Sequence, residues 1–187
     1  IHSPAQVREL LVFLQAQSRV TLLTAVDQEG GRVNRLKPDY GFPASISHEE
    51  LGRLDDERET QHHAATTADT LKAAGFNLNL APVVDLDANP DNPIIHGKRR
   101  SFSADPEVVA RHAAAFVGAH RARGVLTCAK HFPGHGSARG DTHLGLVDVT
   151  ASWTERELEP FRTLAATGLA DMIMTAHVFN ARLDADR

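Results

Sequence analysis

Four times along the chain a helix-forming segment is followed by an apolar strand, and polar residues gather where each strand ends. Such alternation commits a chain to parallel strands covered by helices, because a parallel neighbour can be reached only through a long crossover, usually a helix. The first unit opens at Ser3 with Pro4 in its first turn. Val7, Leu10, Leu11 and Leu14 fall at helical spacing and are expected to face a core; the apolar run 20–26 follows and ends at Asp27. The second has a short helix capped by Ser47, with Glu50 completing a capping box, and then a longer helix to about Ala74. Gly75 stops that helix, and the strand 76–81 leads to Pro82, Val83, Val84 and Asp85.

Asp105 and Pro106 open the third unit, with Val108, Val109, Phe116 and Val117 as its buried face and Gly124 as its end. Its strand, 124–129, delivers Lys130 and His131. In the fourth, Thr154 and Glu157 form a second capping box, Leu158, Phe161 and Leu164 the apolar face, and Gly168 the stop. The strand 172–176 then ends at His177. Polar residues at one end of every strand favour a (β/α)8 barrel of the TIM type. A doubly wound open sheet also sites its chemistry at strand C-termini. Here, however, no Gly-x-Gly-x-x-Gly follows a first strand, and the turn 27–32 lacks a phosphate-binding lysine. A full barrel takes about 250 residues. Four β/α units are legible, so residues 1–187 read as part of one barrel domain, truncated at both ends.

Composition narrows the function classes. The net charge of −4 comes without any block of Lys or Arg, which argues against a nucleic-acid partner. No apolar run is long enough to span a bilayer, so no membrane partner is expected. Cys128, the single cysteine, falls in a strand and reads as a small core residue. The chain begins with Ile and enters a helix almost at once, which suggests a true N-terminus further upstream.

The densest chemistry lies between Lys130 and His143, in Lys-His-Phe-Pro-Gly-His-Gly-Ser-Ala-Arg-Gly-Asp-Thr-His. A cationic pair at a rigid strand end suits recognition of hydroxyls or carboxylates. Asp141 and His143, two residues apart on a glycine-flanked loop, have the spacing of a dyad in which the carboxylate orients the imidazole. Alone that pair reads as an ordinary turn; beside Lys130 and His131 it reads as a site. His131, His135, Asp141 and His143 match no standard metal-ligand spacing, and a metal centre ranks below a sugar site. Asp27, at a strand end, can accept two hydroxyl hydrogen bonds, with Arg32 and Arg35 just beyond. Arg99 and Arg100 follow a turn-rich excursion at 89–93 that would hold them over the strand ends. His62, His63, His112 and His120 lie in helices and read as solvated or packed.

Together these motifs resemble family-3 glycoside hydrolases, nearest the bacterial β-N-acetylhexosaminidase branch. The pieces are Ala25 through Val33, Leu78 through Asp85, Arg100-Ser101-Phe102, Ala129 through Gly136, Asp141-Thr142-His143, and Met174 through Val178. The resemblance implies a TIM-barrel enzyme that removes terminal β-linked N-acetylhexosamine with retention, without cofactor or metal. It implies His143 as general acid/base supported by Asp141, on a loop able to close over substrate, and Asp27, Arg35, Arg100, Lys130 and His131 as residues that grip the sugar. The family's Asp-Ser-His is Asp-Thr-His here. Its nucleophile is an Asp on a later strand, so it is expected to lie outside these residues; Asp184 and Asp186 sit in a polar tail and are poor substitutes. The natural substrate implied is an amino-sugar glycoside such as a cell-wall muropeptide, and the compartment the cytoplasm. A β-glucosidase-type member, or a non-catalytic sugar-binding barrel fragment, are the alternatives.

Overall fold

The computed structural model describes residues 1–185. Asp186 lies outside the described residues. Helix α1 (Pro4–Ala16) starts where Ser3 Oγ accepts the Gln6 N–H at 3.2 Å and Pro4 fills the first turn. Of its expected core face only Val7 is buried and Leu11 half-buried, while Leu10 and Leu14 stay exposed. Strand β1 (Ala25–Val26) is much shorter than the apolar run before it. The reason is local: the Asn77 side chain takes the Thr24 N–H and donates to the Leu22 carbonyl, and Gln15 takes the Leu22 N–H. Side chains thus occupy the backbone groups that a strand partner would use, and Val20 and Leu23 are left exposed.

A hairpin follows that the alternation does not announce: β2 (Gln28–Gly30) pairs antiparallel with β3 (Val33–Asn34). Helix α2 (His48–Leu54) carries the Ser47–Glu50 capping box, and α3 (Glu57–Ala74) ends at Gly75 in the left-handed conformation. Strand β4 (Leu78–Asn79) leads through the 81–87 segment to the long 87–105 excursion. Helix α4 (Pro106–Arg121) is capped by Asp105 and buries Val109, Phe116 and Val117; β5 (Leu126–Phe132) is the longest strand. Cys128 is buried within it. Strand β6 (Val147–Asp148) follows the 133–146 loop. The Thr154 segment opens with a 3-10 turn, where Glu157 accepts the Thr154 N–H at 3.4 Å, before α5 (Glu159–Ala166). Strand β7 (Met172–Thr175) runs into β8 (Val178–Phe179), which pairs in parallel with β6.

Strands β1, β4, β5 and β7 form one parallel sheet in that order. Each new strand is added beside the last. A doubly wound sheet would reverse direction at a switch point, so the sequential order is that of a barrel wall. Helix α3 packs on α4, and α4 on α5 and β5. The main core joins Leu51, Val84, Leu86, Phe102, Val109, Ala113, Phe161 and Leu164 beneath Ala129 of β5. That core lies against β5 at Ala129, immediately before Lys130 and His131 emerge.

Candidate functional site

Lys130 is the last inward-facing residue of β5 before the chain turns, and its side chain is 2% exposed. A lone buried ammonium would be very costly, so it must be paired. Its Nζ lies 2.7 Å from Asp27 Oδ1 and 2.7 Å from Glu29 Oε1. Glu29 is buried as deeply and also takes a two-pronged ion pair from Arg100, with Nε and Nη2 each at 2.8 Å. Burial by itself would raise the Glu29 pKa, but the hydrogen bonds and charges of Arg100 and Lys130 outweigh it and hold the carboxyl at about 2. Two cations and two carboxylates therefore form one fixed lattice, with Asp27 half-open to a cavity.

His131 continues the lattice. Its Nδ1 is 2.6 Å from Asp85 Oδ2, and its Nε2 is 3.3 Å from Arg100 Nη2. Asp85 is fully buried and also accepts the backbone N–H of His131 at 3.2 Å and of His135 at 2.7 Å. Burial acts to raise the Asp85 pKa, yet His131 and these hydrogen bonds leave it below the usual carboxylate value. On its other side the Arg100 carbonyl faces His48 Nδ1 at 3.1 Å, and His48 stacks on Phe102 at 4.2 Å. Burial pushes the His48 pKa down to about 4.

Asp141 and His143 form the expected pair, Nδ1 to Oδ1 at 2.7 Å, with the His143 backbone N–H also donated to Asp141 at 2.9 Å. These bonds, the backbone one foremost, lower the Asp141 pKa. The His143 side chain is 80% exposed, so its Nε2 is open. The loop is tied below by Asn89 donating to the Ala138 carbonyl and by Glu157, which accepts the Ser137 N–H.

All seven residues singled out in the sequence meet around one cavity of about 570 Å³ or pair with a residue that does. Asp27, Arg35, Arg100, Lys130, His131 and His143 line it, and Asp141 holds His143. Arg35 is exposed at the rim. Lys98 and His177 complete the polar wall, and Ile94 and Met174 the apolar part. Asp184 instead lines the neighbouring, more apolar groove with Phe132, Leu146 and Phe179. Among the described residues no group of three His, Cys, Asp or Glu side chains is placed to hold a metal ion. His112 and His120 are packed in the core, His112 against Thr60 Oγ1 at 2.7 Å.

Sequence reading passed over Glu29, Asp85 and His48. Asp85 carried the same signal as Asp27, an acid ending an apolar run. Glu29 lies two residues beyond Asp27, inside the Ala25–Val33 piece, but nothing there sets it apart from its neighbours. His48, inside a helix start, has no signal apart from its tertiary packing.

The model for the glycosyl hydrolase family 3 N terminal domain matches residues 2–187. The chain belongs to this family. It is 38% identical over 188 residues to a β-hexosaminidase of Pseudomonas aeruginosa, covering 98% of this chain and 54% of that protein. It is 37% identical to β-hexosaminidase A of Pseudoalteromonas piscicida, covering 91% of this chain and 29% of that one. The chain therefore spans about half, or less, of the curated relatives it matches. Among solved structures, a family 3 β-N-acetylglucosaminidase from Paenibacillus sp. superposes with a TM-score of 0.91 at 37% identity, over 99% of this chain and 36% of that one. NagZ from Neisseria gonorrhoeae, in complex with N-trifluoroacetyl-D-glucosamine, gives 0.88 at 34% identity, over 98% and 56%. The α/β barrel-type fold expected from the alternation is thus the family's own.

Proposed function

We propose that this chain is the sugar-gripping part of a retaining exo-glycosidase that removes terminal β-linked N-acetylglucosamine. The observation that carries the reading is the meeting of a charged lattice with an open Asp–His pair at one cavity. Asp27 and Arg100, fixed by Lys130 and Glu29, offer an acceptor and donors to vicinal sugar hydroxyls. Arg35 reaches them from the rim. Asp141 holds the Nδ1–H of His143, whose ring lines the cavity, and this leaves Nε2 to serve as the proton carrier. In the first step Nε2–H protonates the glycosidic oxygen while a carboxylate attacks the anomeric carbon and the C–O bond breaks. In the second, neutral His143 takes a proton from the water that hydrolyses the glycosyl ester.

The attacking carboxylate must be free, and among the described residues the two carboxylates that line the cavity, Asp27 and Glu29, are committed to Lys130. We therefore assign the nucleophile to a segment outside these residues, and residues 1–187 to one part of a single catalytic barrel. We further propose a cell-wall muropeptide as natural substrate and the cytoplasm as compartment, on the family resemblance alone. The test is hydrolysis by the full-length protein of an aryl β-N-acetylglucosaminide against the matching β-glucoside, with the product anomer followed by NMR. Preference for the acetamido sugar with retention is expected, as is a His143→Ala loss of about 10²–10⁴ in kcat. Equal rates on both sugars would favour a β-glucosidase, and binding without turnover a non-catalytic sugar binder.

A further inference from the structure

Both nitrogens of His131 have neighbours that dictate their protonation. A carboxylate can only accept, so Asp85 Oδ2, 2.6 Å away, requires a proton on Nδ1. A guanidinium can only donate, so Arg100 Nη2, 3.3 Å away, requires a lone pair on Nε2. The two flanks agree on one neutral tautomer. A doubly protonated ring would set an N–H against an N–H of a fixed cation.

Asp85 is also where two separate segments meet. Its side chain takes the backbone N–H of His131 and of His135, which ties down the turn after β5. Its carbonyl takes the Ser101 hydroxyl at 2.6 Å, which ties down the segment carrying Arg100. The Arg100 fork is thus held on Nε and Nη2 by Glu29 and on Nη2 by His131, while Nη1 has no partner among the described residues.

We propose that Asp85 is a positioning residue of the sugar site: it holds His131 as an uncharged Nε2 acceptor, which in turn fixes the Arg100 guanidinium with Nη1 turned to the cavity. The consequence for ligand binding rests on the sugar-site reading above; the tautomer does not.

The decisive measurement is ¹⁵N NMR of the histidine rings in the full-length protein. His131 should be protonated at Nδ1 and bare at Nε2 near neutral pH. An Nε2–H tautomer, a doubly protonated ring or averaging between tautomers would overturn the proposal. In Asp85→Asn the fixed tautomer should be lost and the Kd for N-acetylglucosamine should rise about ten- to a hundredfold, as expected for one strong hydrogen bond. A folded Asp85→Asn protein with unchanged Kd would refute the positioning role. If that variant does not fold, the wild-type tautomer still decides. If the wild-type protein does not bind N-acetylglucosamine, the sugar reading fails while the tautomer stands on its own.

Discussion

Glu29 shows how one buried acid can organise a site. It answers two cations, Arg100 and Lys130, each of which would be costly to bury alone. Glu29→Gln keeps the shape and removes the charge, leaving Lys130 with Asp27 and Arg100 with none of its carboxylate partners. The expected loss is about 3–5 kcal/mol of unfolding free energy, read from urea denaturation; a change below about 1 kcal/mol would mean that water screens the lattice. Buried histidines set the first part of the acid response. His48 and His120 are buried with pKa values near 4 against an ordinary 6.5, mainly through desolvation. Between those values the unfolded chain binds protons that the fold refuses, so stability falls as pH falls. Glu29 extends the decline, since its stabilisation is complete above its ordinary 4.5 and is lost toward its folded value of about 2. Urea midpoints should therefore drop steadily from about pH 7.5 to about pH 4.5; a level profile would contradict the burial of both imidazoles. The seven candidate residues were legible because each carries charge or a ring nitrogen at a strand end or in the loop between strands. Glu29 and His48 were not, because their meaning lies in partners 71 and 52 residues away.

At the scale of elements, caps were the most readable feature. Ser3, Ser47, Asp105 and Gly75 each stand at the helix end that the sequence assigns them. Strand length was the least readable, as β1 shows, because side chains such as Asn77 took over its backbone groups. Close approach of backbones is equally hidden. Helix α2 lies against the Arg100–Phe102 segment so tightly that a Cβ on Gly52 would sit 1.7 Å from the Phe102 carbonyl oxygen. The obstacle is backbone, and it cannot swing aside like a side chain. Gly52→Ala should therefore push α2 off that segment, costing about 1–3 kcal/mol and, on the proposed function, weakening sugar binding through Arg100. The exposed neighbour Arg53→Ala is the control, expected within about 0.5 kcal/mol of wild type. Wild-type stability and affinity in Gly52→Ala would show that helix and loop separate freely.

At the scale of the molecule, the sequential order β1, β4, β5, β7 leaves β1 and β7 each paired on one side among the described residues. Unpaired edges present rows of N–H and C=O groups that recruit other strands. Here apolar side chains accompany them: Val20 and Leu23 beside β1, and Ile173 of β7 with Phe132 and the groove reaching Leu146, Phe179 and Leu183. Hydrophobic alternation predicted parallel strands and helical cover, but it cannot say which strand stands at an edge, since a covered and an uncovered apolar strand read alike. Parallel edges with apolar borders favour self-association over a monomer when the 187-residue polypeptide is prepared by itself. Sedimentation should show its average mass rising with concentration. Ile173→Lys places a charge on the β7 edge, the device by which natural sheets blunt such contacts, and should shift the distribution toward monomer. A wild-type polypeptide that stays monomeric at high concentration, or an Ile173→Lys variant that associates as strongly, would show that these edges are already closed by the chain's own packing.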